Sequence, residues 1–260
     1  MASNVQANSL PLFYQQLQPL SSGVHGDWKT RRIEKAPFLT GAHAVPVTVE
    51  EFPLVQRFFP IVFSVGDNPV PLALMGLNEG VNLFVDQDGA LTGDVYVPAY
   101  IRRYPFLLAK LRNDSDELSL CFDPTAEAIG PFEEGDALFE GGQPSETTKA
   151  ILGFCEQFET AGQRTSAFVK ELQDNKLLID GEVAIQPEGA AQPFVYRGFQ
   201  MVAEEKLKEL RGDVLRKMVQ SGLLPLVFAH LFSLSLIRDI FAKQMQQGKV
   251  PTPAPVVANA

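Results

Sequence analysis

The sequence predicts an α+β protein, a mostly antiparallel sheet packed with helices drawn largely from the C-terminal half. Three observations carry that expectation. Short β-rich runs separated by turn residues crowd residues 60–122. A 3.6-residue apolar stripe runs from residue 146 to residue 174. Residues 218–237, MVQSGLLPLVFAHLFSLSLI, hold no Asp, Glu, Lys or Arg between Lys217 and Arg238.

Composition bounds the function. The chain has 260 residues, 45% hydrophobic and 20% charged, an ordinary globular balance that buries a core without disulfide staples. It is acidic, with 22 Lys plus Arg against 31 Asp plus Glu and a net charge of −9. No basic cluster marks a nucleic-acid groove, and the net charge opposes an anionic membrane surface. The start, MASNVQANSLPLFYQQL, lacks a basic segment followed by an apolar one. No secretory signal is therefore expected, and a cytoplasmic location with reduced thiols at Cys121 and Cys155 is.

In chain order, residues 1–46 read as irregular, because Pro11, Pro19, Pro37 and Pro46 interrupt any long helix. Residues 47–123 form a β-rich half. Its opening, 47–58, reads as a short helix with Thr48 as N-cap and Glu50 and Glu51 at the positive end of the dipole. Strands are expected at 61–65, 70–77 and 81–85, separated by Gly66-Asp67-Asn68-Pro69 and Asn78-Glu79-Gly80. Asp86-Gln87-Asp88-Gly89 looks like the start of a calcium loop, but position 92 is Thr and the ligand register fails. A plain turn is expected there. Two more strands, 106–111 and 117–122, turn at 112–116.

Residues 124–145 are acidic and rich in Gly and Pro, and read as a loop. The helical half, 146–243, begins after Ser145 with a helix to about residue 174, Gly162 being a candidate break. Cys155 falls on its buried face, as a core thiol. Asp180-Gly181 centres a hairpin within 177–185, and 194–202 reads as one strand. Short helices follow at 204–210 and 213–221, the second capped by Asp213. Residues 244–260, rich in Pro and Ala towards their end, read as a disordered tail. The whole is expected to make one compact domain.

Residues 218–237 are long enough to span a bilayer. Gln220, Ser221, Gly222, His230, Ser233 and Ser235 interrupt the run, and no second such segment offers them partners. The expectation is a buried helix of a soluble domain, capped at Ser221, with Pro225 in its first turn and its end near residue 242.

Signatures of known chemistry are missing. The sequence contains no Gly-x-Gly-x-x-Gly, Walker lysine loop, Gly-x-Ser-x-Gly or Cys-x-x-Cys. His25, His43 and His230 lie far apart, and no metal-ligand spacing joins them. His25 stands two residues before Asp27, but such neighbours more often cap a turn than form a catalytic pair. Within 95–106, VYVPAYIRRYPF, Tyr96, Tyr100 and Tyr104 recur every four residues with Arg102 and Arg103 between them. On a helix that spacing makes one aromatic face, able to meet an anionic or aromatic ligand. The plainer reading is a short helix packed on the sheet.

Those residues also carry a family likeness. The runs Val45-Pro46…Glu51-Phe52, Phe59-Pro60-Ile61-Val62-Phe63, Tyr96-Val97-Pro98-Ala99-Tyr100-Ile101-Arg102-Arg103-Tyr104-Pro105-Phe106 and Gly222-Leu223-Leu224-Pro225…Ala229-His230-Leu231-Phe232-Ser233-Leu234 resemble the bacterial SapC-like family. It is distinct from the peptide-transporter permease of the same name. The resemblance implies an accessory role around uptake or modification, with a halogenase-like flavoprotein as one possible partner. It supplies no catalytic residues.

The function expected is therefore non-catalytic: an accessory or binding protein for a small molecule, peptide or partner enzyme, with no cofactor or metal. Its candidate site is Tyr100, Arg102, Arg103 and Tyr104, with His230 as a polar contact in an apolar pocket. A metal-dependent enzyme using His plus carboxylate, and a surface-layer or envelope component, are the alternatives.

Overall fold

The computed structural model describes residues 10–112, 114, 117–189 and 192–249. It shows the expected α+β architecture, with antiparallel sheets and a helical C-terminal region. The chain divides into two compact units. One takes the residues up to Glu34 together with Ile101–Thr160, and the other takes Lys35–Tyr100 together with the residues from Ala161 onward.

In the first unit, Phe106–Lys110 and Leu118–Phe122 form the predicted antiparallel hairpin, from Phe106 opposite Phe122 to Lys110 opposite Leu118. Gln18–Pro19 adds to its far side. A second sheet places Lys29–Thr30 between Ile129–Gly130 and Asp136–Ala137. Residues 1–46 and 124–145 thus contain strands where irregular chain was expected. The partners of Gln18–Pro19 and Lys29–Thr30 lie about a hundred positions away along the sequence, beyond the reach of local pattern. Ser145 caps the helix Glu146–Asp174, its Oγ accepting the Thr148 amide at 3.2 Å. That helix runs unbroken through Gly162 and carries the chain from the first unit into the second.

The second unit is built on a five-stranded antiparallel sheet. Its order is Leu178–Asp180, Phe199–Val202, Ile61–Ser64, Pro71–Leu74 and Ala44–Pro46. Val45, Ile61, Phe63 and Ala73 project from one face and are fully buried. There Phe63 meets Phe168 and His230, and Phe168 meets Phe52 edge-on at 5.8 Å. Such rings each bury a large apolar area. Val62, Leu72, Leu74 and Ala44 project from the other face, which is only partly covered.

Further expectations give way here. Residues 81–85 form no strand, only a bridge from Val85 to Leu91. Buried Asn82 explains it: its side-chain amide donates to the Leu39 and Ala42 carbonyls at 3.0 Å and accepts the Phe84 amide at 2.8 Å, pinning the segment as a loop. Asp180-Gly181 does not turn a hairpin. Leu178–Asp180 pairs with Phe199–Val202, and Val183–Ile185 pairs with Phe194–Tyr196, so the chain runs on as one arm of a long ribbon. A Cβ on Gly181 would lie 2.1 Å from the Phe199 ring, so the glycine serves close approach and not a turn.

The apolar C-terminal stretch is three helices, Gly212–Gln220, Leu223–Ser233 and Leu236–Gln246, not one running to residue 242. Ser221 ends the first, its hydroxyl donating to the Met218 carbonyl, and does not cap the second. Nor is the second buried all round, since Phe232 is 68% exposed. Leu223–Gln246, 24 residues with a mean hydropathy of 1.6 over 18 of them, is long and apolar enough to cross a membrane by length and composition. Its His230, Ser233 and Gln244 are nevertheless bonded to the backbone of Ile61, Val202 and Leu77. The expected tail is helical as far as Gln246; residues 250–260, and 113, 115 and 116 of the 112–116 turn, lie outside the described residues.

Candidate functional site

The aromatic-arginine segment is shorter as a helix than its tyrosine spacing suggests, spanning Ala99–Arg103. Tyr96 precedes it and donates its hydroxyl to Glu51 Oε1 at 3.0 Å. The same oxygen accepts the Ala99 amide at 2.6 Å, while Oε2 accepts the Thr48 amide and hydroxyl at 2.9 and 3.0 Å. Glu51 therefore completes the capping box with Thr48 and also holds the start of the next helix.

The segment's own side chains diverge. Tyr100 and Tyr104 are buried. Arg102 is exposed, its guanidinium 5.2 Å from the Phe154 ring centre. Arg103 is buried against Phe158 at 4.2 Å and faces Glu159 at 3.3 Å. Tyr104 packs edge-on to Tyr14 at 5.2 Å, and burial followed by the Asp123 charge raises its pKa. Neighbouring helix positions point about 100° apart, so the two arginines do not form one clamp. Arg103 belongs to the interior of the first unit.

His230 lies fully buried in the second unit. Its Nε2 accepts the Val202 amide at 3.0 Å, which places the ring proton on Nδ1, 2.8 Å from the Ile61 carbonyl. Burial holds its pKa down at about 4. Both nitrogens bond backbone, so the ring presents no polar atom to a ligand. His25, in the first unit, is likewise enclosed: its Nδ1 accepts the Ser21 amide at 3.1 Å, and its ring packs on Trp28 and Phe122. Its other ring nitrogen, Nε2, lies 3.2 Å from Gln18 Nε2, so neither nitrogen is paired with Asp27. Among the described residues, no group of three or more His, Cys, Asp or Glu is placed to hold a metal ion. Asp86-Gln87-Asp88-Gly89 is a turn in which Asp86 Oδ1 accepts the Asp88 and Ala90 amides, both at 2.9 Å. Cys121 and Cys155 are free, buried thiols, each pushed up to about 11 by burial.

The site that sequence reading missed lies on the partly covered face of the five-stranded sheet. A cavity of about 110 Å³ is walled there by Val62, Leu72, Leu74, Val183, Phe199 and Ile237. Tyr196, His43 and Arg197 also line it. The Tyr196 hydroxyl is buried and has no hydrogen-bond partner, and burial raises its pKa. Arg197 is held outward by Glu182 at 2.6 Å.

A β-bulge puts Tyr196 there. Asp180 pairs with Gln200 and Val183 with Tyr196, so two residues on one strand face three on the other. The extra residue sits at Arg197-Gly198, where Gly198 has a φ of 89°, a conformation that favours glycine. Tyr196 and Phe199 stand three positions apart, and in an unbroken strand they would point to opposite faces. With the bulge, both line the cavity. A glycine inside an otherwise β-rich run, as in FVYRGFQMV, is the sequence signal for such a bulge. An open groove of about 480 Å³ shares Arg197, Gly198 and Phe199 as a wall and adds Asp180 and Glu182.

The second unit thus carries a small cavity beside its sheet, lined mostly by apolar side chains. Comparison with protein families places residues 20–240 in SapC, and the chain belongs to that family. No curated protein and no solved structure matches it.

Proposed function

We propose that this SapC family member is a non-catalytic binding protein, accessory to an uptake or modification system, and that the cavity beside Tyr196 receives an uncharged group of its ligand. The observation that carries the reading is the cavity of about 110 Å³ beside the sheet, lined mostly by apolar side chains with Tyr196 among them. The walls favour a neutral group, because they are mostly aliphatic, an ion brought there would lose its hydration, and Arg197 is already engaged by Glu182.

The test is a screen of small neutral organic probes by protein-observed NMR on the full chain and on Ala44→Leu. Ala44 lines the cavity on an edge strand, and leucine there fills the space. Saturable shifts around Tyr196 and Val62 in the wild type, lost in the variant, support the reading. Probe binding that is absent, or indifferent to Ala44→Leu, overturns it.

A further inference from the structure

We infer that the outward face of Leu223–Ser233 rests on an anionic lipid surface and inserts its phenylalanine rings there, while the helix stays packed on its sheet. This surface is separate from the cavity and independent of the reading above.

The polarity of the helix is inverted. Successive positions turn by about 100°, so Leu224, Phe228, Leu231 and Phe232 share one side, opposite His230 and Ser233. The polar pair turns inward and bonds the backbone of Ile61 and Val202. The apolar four turn outward, half-buried or exposed, with Phe228 and Phe232 stacked on each other. A helix that shows one side to water places charged or polar residues on it. Here no Asp, Glu, Lys or Arg occurs between Lys217 and Arg238.

Charge selects the occupant. From Arg211 to Lys249 the chain carries six Lys and Arg against two Asp, while the rest carries 16 against 29. Screening confines each charge to about 8–10 Å, so this basic stretch acts apart from the net charge of −9. Lys217 is engaged by Glu171, and Lys243 lies over Phe84. Arg216 and Arg238, one before the apolar run and one after it, are exposed and in no ion pair among the described residues. The backbone stays right-handed helical through Leu234 and Ser235, so Arg238 and Asp239, the one acid there, continue the outward side. Rings that enter the acyl boundary, beside arginine stems that reach lipid phosphates, suit an anionic bilayer. A second copy docked by the same face would set these arginines against their equivalents, and like charges repel. Crossing the bilayer would strip His230 and Ser233 from the sheet and leave its backbone groups unpaired.

The experiment is sedimentation of the full chain with vesicles of phosphatidylcholine alone and of phosphatidylcholine mixed equally with phosphatidylglycerol. Saturable binding to the mixed vesicles is expected, weaker on phosphatidylcholine and weaker in high salt. Phe232→Ser should weaken it about tenfold or more, with thermal stability unchanged, and Phe232→Leu should retain most of it. Arg238→Gln should weaken it about fivefold. No binding to the mixed vesicles overturns the inference, as does binding indifferent to Phe232→Ser or equal on both compositions. Self-association without lipid, abolished by Phe232→Ser, would assign the face to a second copy and overturns it too.

Discussion

Where Ile61–Ser64 and Phe199–Val202 run out of mutual pairing, one helix turn takes over their hydrogen bonds. His230 joins the Val202 amide to the Ile61 carbonyl, and Ser233 Oγ accepts the Ile61 amide at 2.9 Å. His230→Leu would strand two buried backbone groups, each at about 1–3 kcal/mol. Chemical denaturation at pH 7 is expected to show a loss of about 3 kcal/mol. Phe232→Ser, two positions away on the exposed face, should move stability by less than about 0.5 kcal/mol. The pH dependence has a fixed sign. His230 titrates at about 4 when folded, below the ordinary 6.5. Between those values the unfolded chain binds a proton that the folded one does not, so this contribution is full above pH 6.5 and falls as pH drops towards 4. It amounts to about 3 kcal/mol. His25, also lowered by burial, acts in the same direction. Denaturation midpoints measured at pH 7 and pH 5 should converge in His230→Leu relative to the wild type.

The ribbon formed by residues 178–185 and 194–202 shows how a single inserted position changes an element's chemistry. Deleting Gly198 would place Tyr196 two positions from Phe199 in an unbroken alternation, on the same face as Phe199, with Arg197 turned to the other. The expected outcome is a folded protein whose Tyr196 ring signals in NMR stay close to those of the wild type. Gly198→Val should instead strain the positive φ and lower stability by about 1–2 kcal/mol, read by thermal denaturation. The helix Leu223–Ser233 carries a related lesson. Its composition is apolar all round, which predicts burial all round. Only Val227, Ala229, His230 and Ser233 are fully buried, and Phe228 and Phe232 stack on each other at its outer side.

At the scale of the molecule, the two thiols report on unfolding. Cys121 and Cys155 are buried, and burial pushes both up to about 11. Alkylation by iodoacetamide at pH 8 should be slow in the native protein and accelerate with unfolding, the two sites being followed separately by mass spectrometry. Equal labelling of native and denatured protein would contradict the packing described. The arrangement of chain into units explains much of what sequence reading could and could not reach. Each unit is assembled from two separated stretches, so strands such as Lys29–Thr30 and Ile129–Gly130 find partners far away. Local pattern located the hairpins 61–74 and 106–122 and the Glu146–Asp174 helix, whose partners or periodicity lie close in sequence. It could not distinguish Arg102 from Arg103, adjacent and alike, yet one is exposed and the other buried.

By itself the sequence determined the fold class, the long amphipathic helix, the Thr48 cap and the family likeness. Each rests on spacing or residue type within a few turns of chain. Only the tertiary structure decided that His230 completes a sheet, that Arg103 belongs to a core and that Tyr196 lines a cavity. Those outcomes depend on which backbone groups are left unpaired, and on which face a strand presents after a bulge. Both are set by neighbours distant in sequence.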